Sequence, residues 1–450
     1  MGDKMKISLS EHFGFAKLMR FTLPSIAMMI FTSIYGVVDG YFVSNFAGKS
    51  EFTAVNFIMP YLMILGAFGF MFGSGGSALV AKRLGEGREE DARSLFSLVV
   101  YATIAVGIFL SFFGILFLEP VAALLGAEGE MLDYCIRYGT IILIALPFFM
   151  LQMEFQTFMI TAERPKLGFV ITLVSGVANI ILDALLVAVF ELGLEGAAIA
   201  TAISQAVGGA LPIVFFSFTR NINLRLGRAK FEPHAFAKVC TNGSSELLAN
   251  VSMSVVGMLY NIQLLKYAGE DGVAAYGVLM YVSMIFCAIF IGYSVGVAPV
   301  HSFHFGAGNK RELRSLLSKS CVIIGIGSVA MVIAALLLAR PLSLIFVGYD
   351  EALYNLTVSG FYIYSFSFLF CGFAIFFSSF FTALNDGLTS ALISFLRTLV
   401  FQIAFIFILP LFFEIDGIWY SLIAAELAAA AVAVFFLFFK KDKYGYFSGQ

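Results

Sequence analysis

Apolar runs of about 20 to 28 residues recur along the whole chain, each long enough to cross a hydrocarbon layer roughly 30 Å thick at about 1.5 Å per helical residue. In such a layer every backbone N–H and C=O has to be paired inside the protein, which leaves only helices and closed barrels. Barrel strands would alternate apolar and polar residues over about ten positions, and these runs do not. Hydrophobic residues make up 60% of the chain and charged residues 12%, with a mean hydropathy of +0.94. That balance excludes a soluble domain of this length. The expected fold class is all-α integral membrane, with spans near 16–44, 54–80, 94–118, 131–161, 167–190, 196–218, 237–265, 273–299, 315–339, 352–382, 388–412 and 417–439.

The spans come in two sets. Gly85-x-Gly87 followed by Arg93-Ser94-Leu95 recurs as Gly306-x-Gly308 followed by Arg314-Ser315-Leu316, a shift of 306 − 85 = 221 residues. Ala54 and Ala275, Pro120 and Pro341, Gly139 and Gly360, Thr161-Ala162 and Thr382-Ala383, and Gly196 and Gly417 keep the same shift. No insertion or deletion is expected from about residue 48 to about residue 208. The chain of 450 residues therefore reads as a tandem duplication of a six-helix unit. The expected organisation is an N-terminal lobe over 1–218, a polar connector over 219–236 and a C-terminal lobe over 237–450, arranged around a central cavity. Two parallel membrane repeats place a solute path at the seam between lobes. The Gly-x-Gly turns precede basic helix starts, but no strand leads into them, so chain reversal explains them better than a phosphate cradle.

Basic residues fall on one side of these spans. They are Lys4, Lys6, Lys17 and Arg20 at the start, and Lys82, Arg83, Arg88 and Arg93 in the second loop. Arg164 and Lys166 follow, then Arg220, Arg225, Arg228, Lys230 and Lys238 around the connector. Lys310, Arg311, Arg314 and Lys319, and finally Lys440, Lys441 and Lys443, complete the set. The opposite loops carry Glu119, Glu128, Glu130, Glu191, Glu195, Asp350, Glu351, Glu414 and Asp416 against Lys49, Lys266 and Arg340. The positive-inside rule then puts both termini in the cytoplasm. Residues 1 to 15 are polar and do not resemble a cleaved signal, so the first span is expected to remain. The five cysteines form no CxxC or Cys/His cluster and read as small hydrophobes. His301 and His304 have no evident third ligand and read as an interfacial pair.

Charges at membrane depth are costly and need a partner or a wet cavity. Asp39 lies about 20 residues up the first span and Asp183 about 16 up the fifth, so both stand roughly 24 to 30 Å from the basic surface. Thr201, about five residues down the sixth span, reaches the same layer, and Asn179 shares a helix face with Asp183. Two carboxylates, an amide and a hydroxyl at one depth read as a proton or monovalent cation site. Two carboxylates in one dry pocket do not both stay charged without a proton or cation between them, which lets such a site load and unload. The competing reading has both aspartates at helix ends facing water. At the 221-residue shift, Tyr260 stands opposite Asp39, Val400 opposite Asn179 and Ala404 opposite Asp183. The second lobe instead holds Glu246, Arg397 and Glu426 near mid-depth, with Arg397 expected to pair with Glu246 or Glu426. Glu154, in the inner half of the fourth span, and Glu246 are candidates for attracting cationic solutes, and Tyr138 for substrate contact. Pro24 interrupts the first span and allows it to bend.

With Pro24, Thr161-Ala162-Glu163-Arg164-Pro165, and Asn179-x-x-x-Asp183 followed by Gly196-Ala197-Ala198-x-Ala200-Thr201, the chain resembles the multidrug and toxic compound extrusion (MATE) transporters, close to their DinF-like and MepA-like branches. The resemblance covers nearly the whole chain. It implies an inner-membrane antiporter that exports amphipathic, often cationic compounds in exchange for H+ or Na+. It also implies coupling at Asp39, Asn179, Asp183 and Thr201, with bending at Pro24. Glu246 matches an acidic position of the seventh helix that some members use together with an acid of the tenth. No acid stands between Ala352 and Thr382, which favours the first lobe and, with it, protons. No cofactor, no nucleic-acid partner and no enzymatic activity are expected, and a monomer in membrane lipid suffices. A flippase for a lipid-linked precursor is the alternative, although such a cavity would be expected to be cationic.

Overall fold

The computed structural model describes residues 7–43, 46, 49–219 and 222–447, with the side chains of Lys49, Phe52 and Glu270 left aside. Lys4, Lys6 and Arg220 of the basic set lie outside the described residues. Among them, twelve helices are long and apolar enough to span a membrane: α1 (Phe15–Phe42), α2 (Thr53–Gly85), α3 (Glu89–Leu125), α4 (Gly129–Thr161), α5 (Pro165–Val189), α6 (Gly193–Phe218), α7 (Pro233–Gly269), α8 (Asp271–Gly306), α9 (Lys310–Val347), α10 (Glu351–Ala383), α11 (Gly387–Ile408) and α12 (Pro410–Phe439). They form two lobes, α1–α6 and α7–α12, whose apolar cores cross over: Leu18, Phe21, Ile26 and Met28 of α1 pack into the core of the second lobe, and Ala235 and Val239 of α7 into that of the first. Large apolar side chains such as Phe112, Leu337 and Phe435 point outward, as lipid-facing residues do. The connector occupies 219–232, because α7 begins at Pro233, a residue whose missing N–H suits a first helical turn.

Each turn has a local cause. Gly87 and Gly308 reverse the chain at positive φ, 75° and 67°, which glycine adopts without strain. Asn309 caps α9 and Asp350 caps α10 by accepting from the N–H of Glu312 (3.1 Å) and Leu353 (3.0 Å). Helix α1 runs through Pro24 without a break, although the carbonyl of Arg20 loses its helical donor there.

Gly85 and Gly306 serve a different purpose from the chain reversal beside them. A Cβ on Gly85 would lie 2.0 Å from the Phe303 carbonyl oxygen, and one on Gly306 would lie 2.1 Å from that of Lys82. Since 85 + 221 = 306 and 82 + 221 = 303, these are one contact made twice about a two-fold relation between the lobes. Deeper in, Gly75 meets the backbone of Val239 and Gly243, while Gly296 meets Thr22 and Ser25. Again 75 + 221 = 296 and 22 + 221 = 243. All of these contacts lie toward the end that carries the basic loops. Toward the acidic end, Gly36 and Gly40 of α1, Gly257 of α7 and Gly277 of α8 meet nothing within 4 Å. The lobes are joined at the basic end and part toward the other.

Two segments strap the joined end. Ahead of α1, the N–H of Phe13 donates to Glu312 Oε1 (2.9 Å), His12 Nδ1 contacts Glu312 Oε2 (2.6 Å), and Lys319 Nζ donates to the Phe13 carbonyl (2.5 Å). Ahead of α7, Glu232 pairs with Arg83 (2.7 Å). The connector also takes bonds from Arg93 to the Asn223 carbonyl (2.9 Å), from Lys230 N–H to Ser94 (2.9 Å) and from Gly227 N–H to Ser97 (3.1 Å). Each strap precedes the first helix of one lobe and is tied to the other, the first also to its own lobe through Ser8 and the Leu9 N–H, which donate to Glu163.

The repeat is not free of insertions, as the sequence had suggested. The left-handed residue of the α4–α5 turn is Glu163 (φ 60°) and that of the α10–α11 turn is Asn385 (φ 58°), giving 385 − 163 = 222. A π turn at Leu396–Val400 then lengthens α11 before mid-membrane, whereas the π turn of α5 comes later, at Ala184–Val189. One extra residue in a turn rotates all that follows, so the shift along the middle of α5 and α11 is 223. Gly196 and Gly417 restore 221, because the second-lobe connection is two residues shorter.

Two expectations follow. Gly243→Val places a side chain where the Met71 carbonyl oxygen lies 1.9 Å from even a Cβ, so it should separate the lobes at the basic end. Deuterium uptake in peptides covering 71–75 and 239–243 should rise well above that of the parent protein. Asp386, between α10 and α11, is pushed up by burial, but bonds from Tyr444, the N–H of Thr389 and Lys440 outweigh this and hold its carboxyl below the usual range. A depressed pKa gives stability that is present above the ordinary carboxylate value near ~4 and lost as pH falls through the lower folded value. Protease cleavage after residue 440 should therefore be slow at neutral pH and accelerate only below that value.

Candidate functional site: a buried acid pair in the first lobe

Three helices of the first lobe bring their polar residues to one point. Thr201 of α6 donates to Asp39 Oδ1 of α1 (3.4 Å), and Asp39 also neighbours Asp183 and Asn179 of α5. Asp183 is 0% and Asn179 1% exposed. Both carboxylate oxygens of Asp183, and Nδ2 of Asn179, have no hydrogen-bond partner. Tyr138 of α4, 2% exposed, faces both aspartates, and Tyr35 of α1 faces Asp39. The structure thus brings Asp39, Asn179, Asp183, Thr201 and Tyr138 together. It adds Tyr35, which sequence reasoning passed over although it lies one helical turn before Asp39.

Carboxylates accept hydrogen bonds and do not donate them. Two of them side by side in a dry wall therefore repel, and neither satisfies the other. A single proton changes this, since one carboxyl then donates to its neighbour. A bound cation would do the same electrostatically.

The second lobe keeps the place but changes its chemistry. With the shift of 223, the residue matching Asn179 is Gln402 and the residue matching Asp183 is Ile406, in place of the Val400 and Ala404 found at 221. The Tyr260 hydroxyl donates to Gln402 Oε1 (2.6 Å) and lies 3.1 Å from Ser421 Oγ, one residue short of the counterpart of Thr201 (201 + 221 = 422). A neutral, mutually satisfied cluster stands where the first lobe has its acid pair.

The remaining candidates lie elsewhere. Arg397 binds Glu426 through Nε at 2.8 and 3.1 Å and does not bond to Glu246, which is half-buried on α7 within electrostatic reach of that guanidinium. Glu154 is 0% exposed, set against Gly73 of α2 and beside Thr103 of α3, so in this state it fronts no cavity. His301 and His304 lie in the last two turns of α8, as expected of a pair at the end of a span, and are 0% and 2% exposed, packed inside the protein. His301 packs edge-on against Phe380. No group of three or more His, Cys, Asp or Glu suited to a metal occurs among the described residues.

Residues 24–185 and 247–408 each match the MatE family model. The chain belongs to the MatE family. The two matches end 408 − 185 = 223 residues apart, the shift found along α5 and α11. The chain is thus a multi-pass protein of the cell membrane in two duplicated six-helix lobes. It is similar to multidrug export protein MepA of Staphylococcus aureus strain MRSA252, with 26% identity over 432 residues, covering 95% of this chain and 94% of the relative. It is equally similar to MepA of Staphylococcus haemolyticus strain JCSC1435, with 26% identity over 445 residues, covering 98% and 97%. Its fold matches a MATE protein crystallised in complex with MaL6, with a TM-score of 0.92 at 20% identity, covering 97% of this chain and 98% of that one. It also matches an outward-facing multidrug resistance MATE transporter, with a TM-score of 0.91, 20% identity and the same coverage.

For this MatE protein the Arg397–Glu426 pair gives a direct test of stability. The side chains are 20% and 11% exposed, so removing one partner leaves a poorly solvated charge. Glu426→Gln should cost about 3 kcal/mol, read as a lower unfolding temperature in detergent, and Arg397→Met combined with Glu426→Leu should recover most of the loss.

Proposed function

We propose that this MatE-family protein is a cation-coupled antiporter that exports amphipathic, often cationic compounds by alternating access, with no cofactor. The reading puts the coupling site at Asp39, Asn179, Asp183 and Thr201, and favours protons over sodium. The observation that carries it is the acid pair. Asp183 is fully buried beside Asp39 with no donor to either of its oxygens, a costly arrangement inside a membrane unless charge is loaded and unloaded there. The preference for protons follows from the same geometry, because one proton shared by two carboxyls supplies the missing donor. The names of the MepA relatives support multidrug export.

In this reading the two lobes rock about the connector 219–232, and bending of α1 at Pro24 accompanies loading. The basic loops put both termini in the cytoplasm of a monomer in the inner membrane. The state with a joined basic end is then outward-facing. Tyr138 contacts the loaded site or substrate, Glu246 attracts cationic substrate or supports coupling, and Glu154 becomes available only when the lobes part on the inner side.

Proteoliposomes containing the full chain and ethidium, with pH and sodium gradients imposed separately, test the proposal. Export should follow the pH gradient at equal sodium, and Asp39→Asn or Asp183→Asn should each reduce it to the leak of empty vesicles. Intact coupling in both variants would overturn the site. A sodium gradient driving export at equal pH would overturn the proton assignment, and absence of export of any cationic dye would turn the reading toward a flippase.

A further inference from the structure

The connector lies along α3 at the basic end of the first lobe and leaves its arginines outward. Ile222 and Leu224 are buried in the first-lobe core and Leu226 packs against it, while Arg225 and Arg228 are exposed. The Leu226 N–H donates to the Phe216 carbonyl (3.0 Å), the Gly227 N–H to Ser97 Oγ (3.1 Å), and the Tyr101 hydroxyl to the Gly227 carbonyl (2.9 Å). Bonds to the backbone thus fix the segment, and Arg225 and Arg228 are not needed to hold it. Among the described residues no acid pairs with either of them.

Between the connector and α3 is a cavity of about 180 Å³ whose lining includes Glu90, Arg93, Ser94, Ser97, Arg225 and Arg228. Three guanidinium groups against one carboxylate leave a charge of 3 − 1 = +2. Arg93 is partly engaged by the Asn223 carbonyl (2.9 Å) and by Glu89 (3.3 Å), so Arg225 and Arg228 carry the free charge. The volume is that of about six waters at roughly 30 Å³ each, enough for a phosphodiester group. Toward the membrane the same face of α3 continues from Ser94 and Ser97 through Tyr101 to Ala105, Ile108 and Phe112, in steps of three or four residues, and from Tyr101 onward each of these is exposed. Tyr101 to Phe112 spans about 16 Å at about 1.5 Å per residue, the depth of one leaflet in a hydrocarbon layer roughly 30 Å thick. A preference for basic residues on one side accounts for the sign of these charges. It does not account for their meeting around one cavity at the head of a lipid-facing helix face.

We propose that this cavity seats the phosphate of an anionic phospholipid from the leaflet at the basic end, held by Arg225 and Arg228 with support from Arg93, while an acyl chain lies along Tyr101, Ile108 and Phe112. Arginine suits the role because its planar fork matches phosphate oxygens two at a time. Basic pockets at this level of a membrane protein recognise lipid headgroups by the same chemistry. The apolar stripe below the cavity favours a lipid over a free phosphate, which would leave that stripe unused. A lipid held there fastens the connector to α3 in addition to the bonds from Ser94, Ser97 and Tyr101.

The test is titration calorimetry on the full-length protein in a neutral detergent at about 0.15 M salt, with dioctanoyl phosphatidylglycerol as the probe. One site per chain is expected. Arg225→Gln combined with Arg228→Gln should weaken binding about 25-fold, about fivefold for each charge removed beside a headgroup. Lys310→Gln combined with Arg311→Gln, an equal loss of charge from exposed residues of the second lobe, should leave it within about twofold of the parent. Inorganic phosphate and dioctanoyl phosphatidylcholine should each bind at least about tenfold more weakly. An unfolding temperature equal to the parent's shows that each double variant is folded, and deuterium uptake over residues 222–230 should fall when phosphatidylglycerol is added. Equal weakening by the two pairs of substitutions would overturn the site and leave only a generally basic surface. Phosphate binding as tightly as phosphatidylglycerol would overturn the lipid assignment in favour of a free anion, and phosphatidylcholine binding equally well would overturn the role of the arginines.

Discussion

Backbone-to-backbone contact between the lobes at glycine is the constraint from which the rest of the structure follows. Lipid tails are as apolar as leucine, so helices in a membrane gain little by hiding apolar surface from one another and rely on close packing. Gly75, Gly85, Gly243 and Gly306 allow two lobes to meet with carbonyl oxygens about 2 Å from where a Cβ would stand. No larger residue permits that approach. Because the contact is made twice about a two-fold relation, it fixes both lobes at one end and leaves the other end free to part. The swapped straps at Glu312 and Glu232 reinforce the same end with charge-assisted bonds.

With the scaffold held this way, the two lobes are free to differ in the middle of the membrane. The first holds a carboxylate pair whose charge is unbalanced unless a proton or cation is present. The second holds Tyr260, Gln402 and Ser421, where the Tyr260 hydroxyl bonds to both of the others. A satisfied neutral network rigidifies its surroundings, whereas an unsatisfied acid pair gives its surroundings two states to choose between. Helix α1 carries Asp39 and contains Pro24, so the helix with the weakened backbone also carries one acid of the pair.

Much of this was legible in the residues. The apolar runs, the repeat and the side preference of Lys and Arg located the spans and their pairing into lobes, because the membrane leaves few alternatives. Depth arithmetic on Asp39, Asp183 and Thr201 placed them in one layer, and Thr201 does bond to Asp39. The π turn in α11 was not legible, since a single extra residue in a helix leaves no trace in an apolar sequence. That one residue, with the longer α10–α11 turn, moved the match for Asn179 from Val400 to Gln402 and hid the neutral cluster. Periodicity was also silent on which acid Arg397 would take, since Glu246 and Glu426 stand at similar depth and only side-chain packing separates them.

The register slip bears on how a duplicated transporter becomes asymmetric. With a constant shift of 221, the second lobe would present Val400 and Ala404 to Tyr260, and its hydroxyl would be buried with only Ser421 for a partner. An unpaired hydroxyl in an apolar wall costs about 1–3 kcal/mol. The π turn rotates Gln402 into that place and supplies the acceptor, so the insertion and the loss of the acids are compensating features of one arrangement. Straightening Leu396–Val400 into a regular helix without removing a residue would withdraw Gln402 from Tyr260. An otherwise favourable straightening of the helix is thereby made costly, and the second lobe is held to a conformation that the first lobe, with its π turn beyond Asp183, does not need.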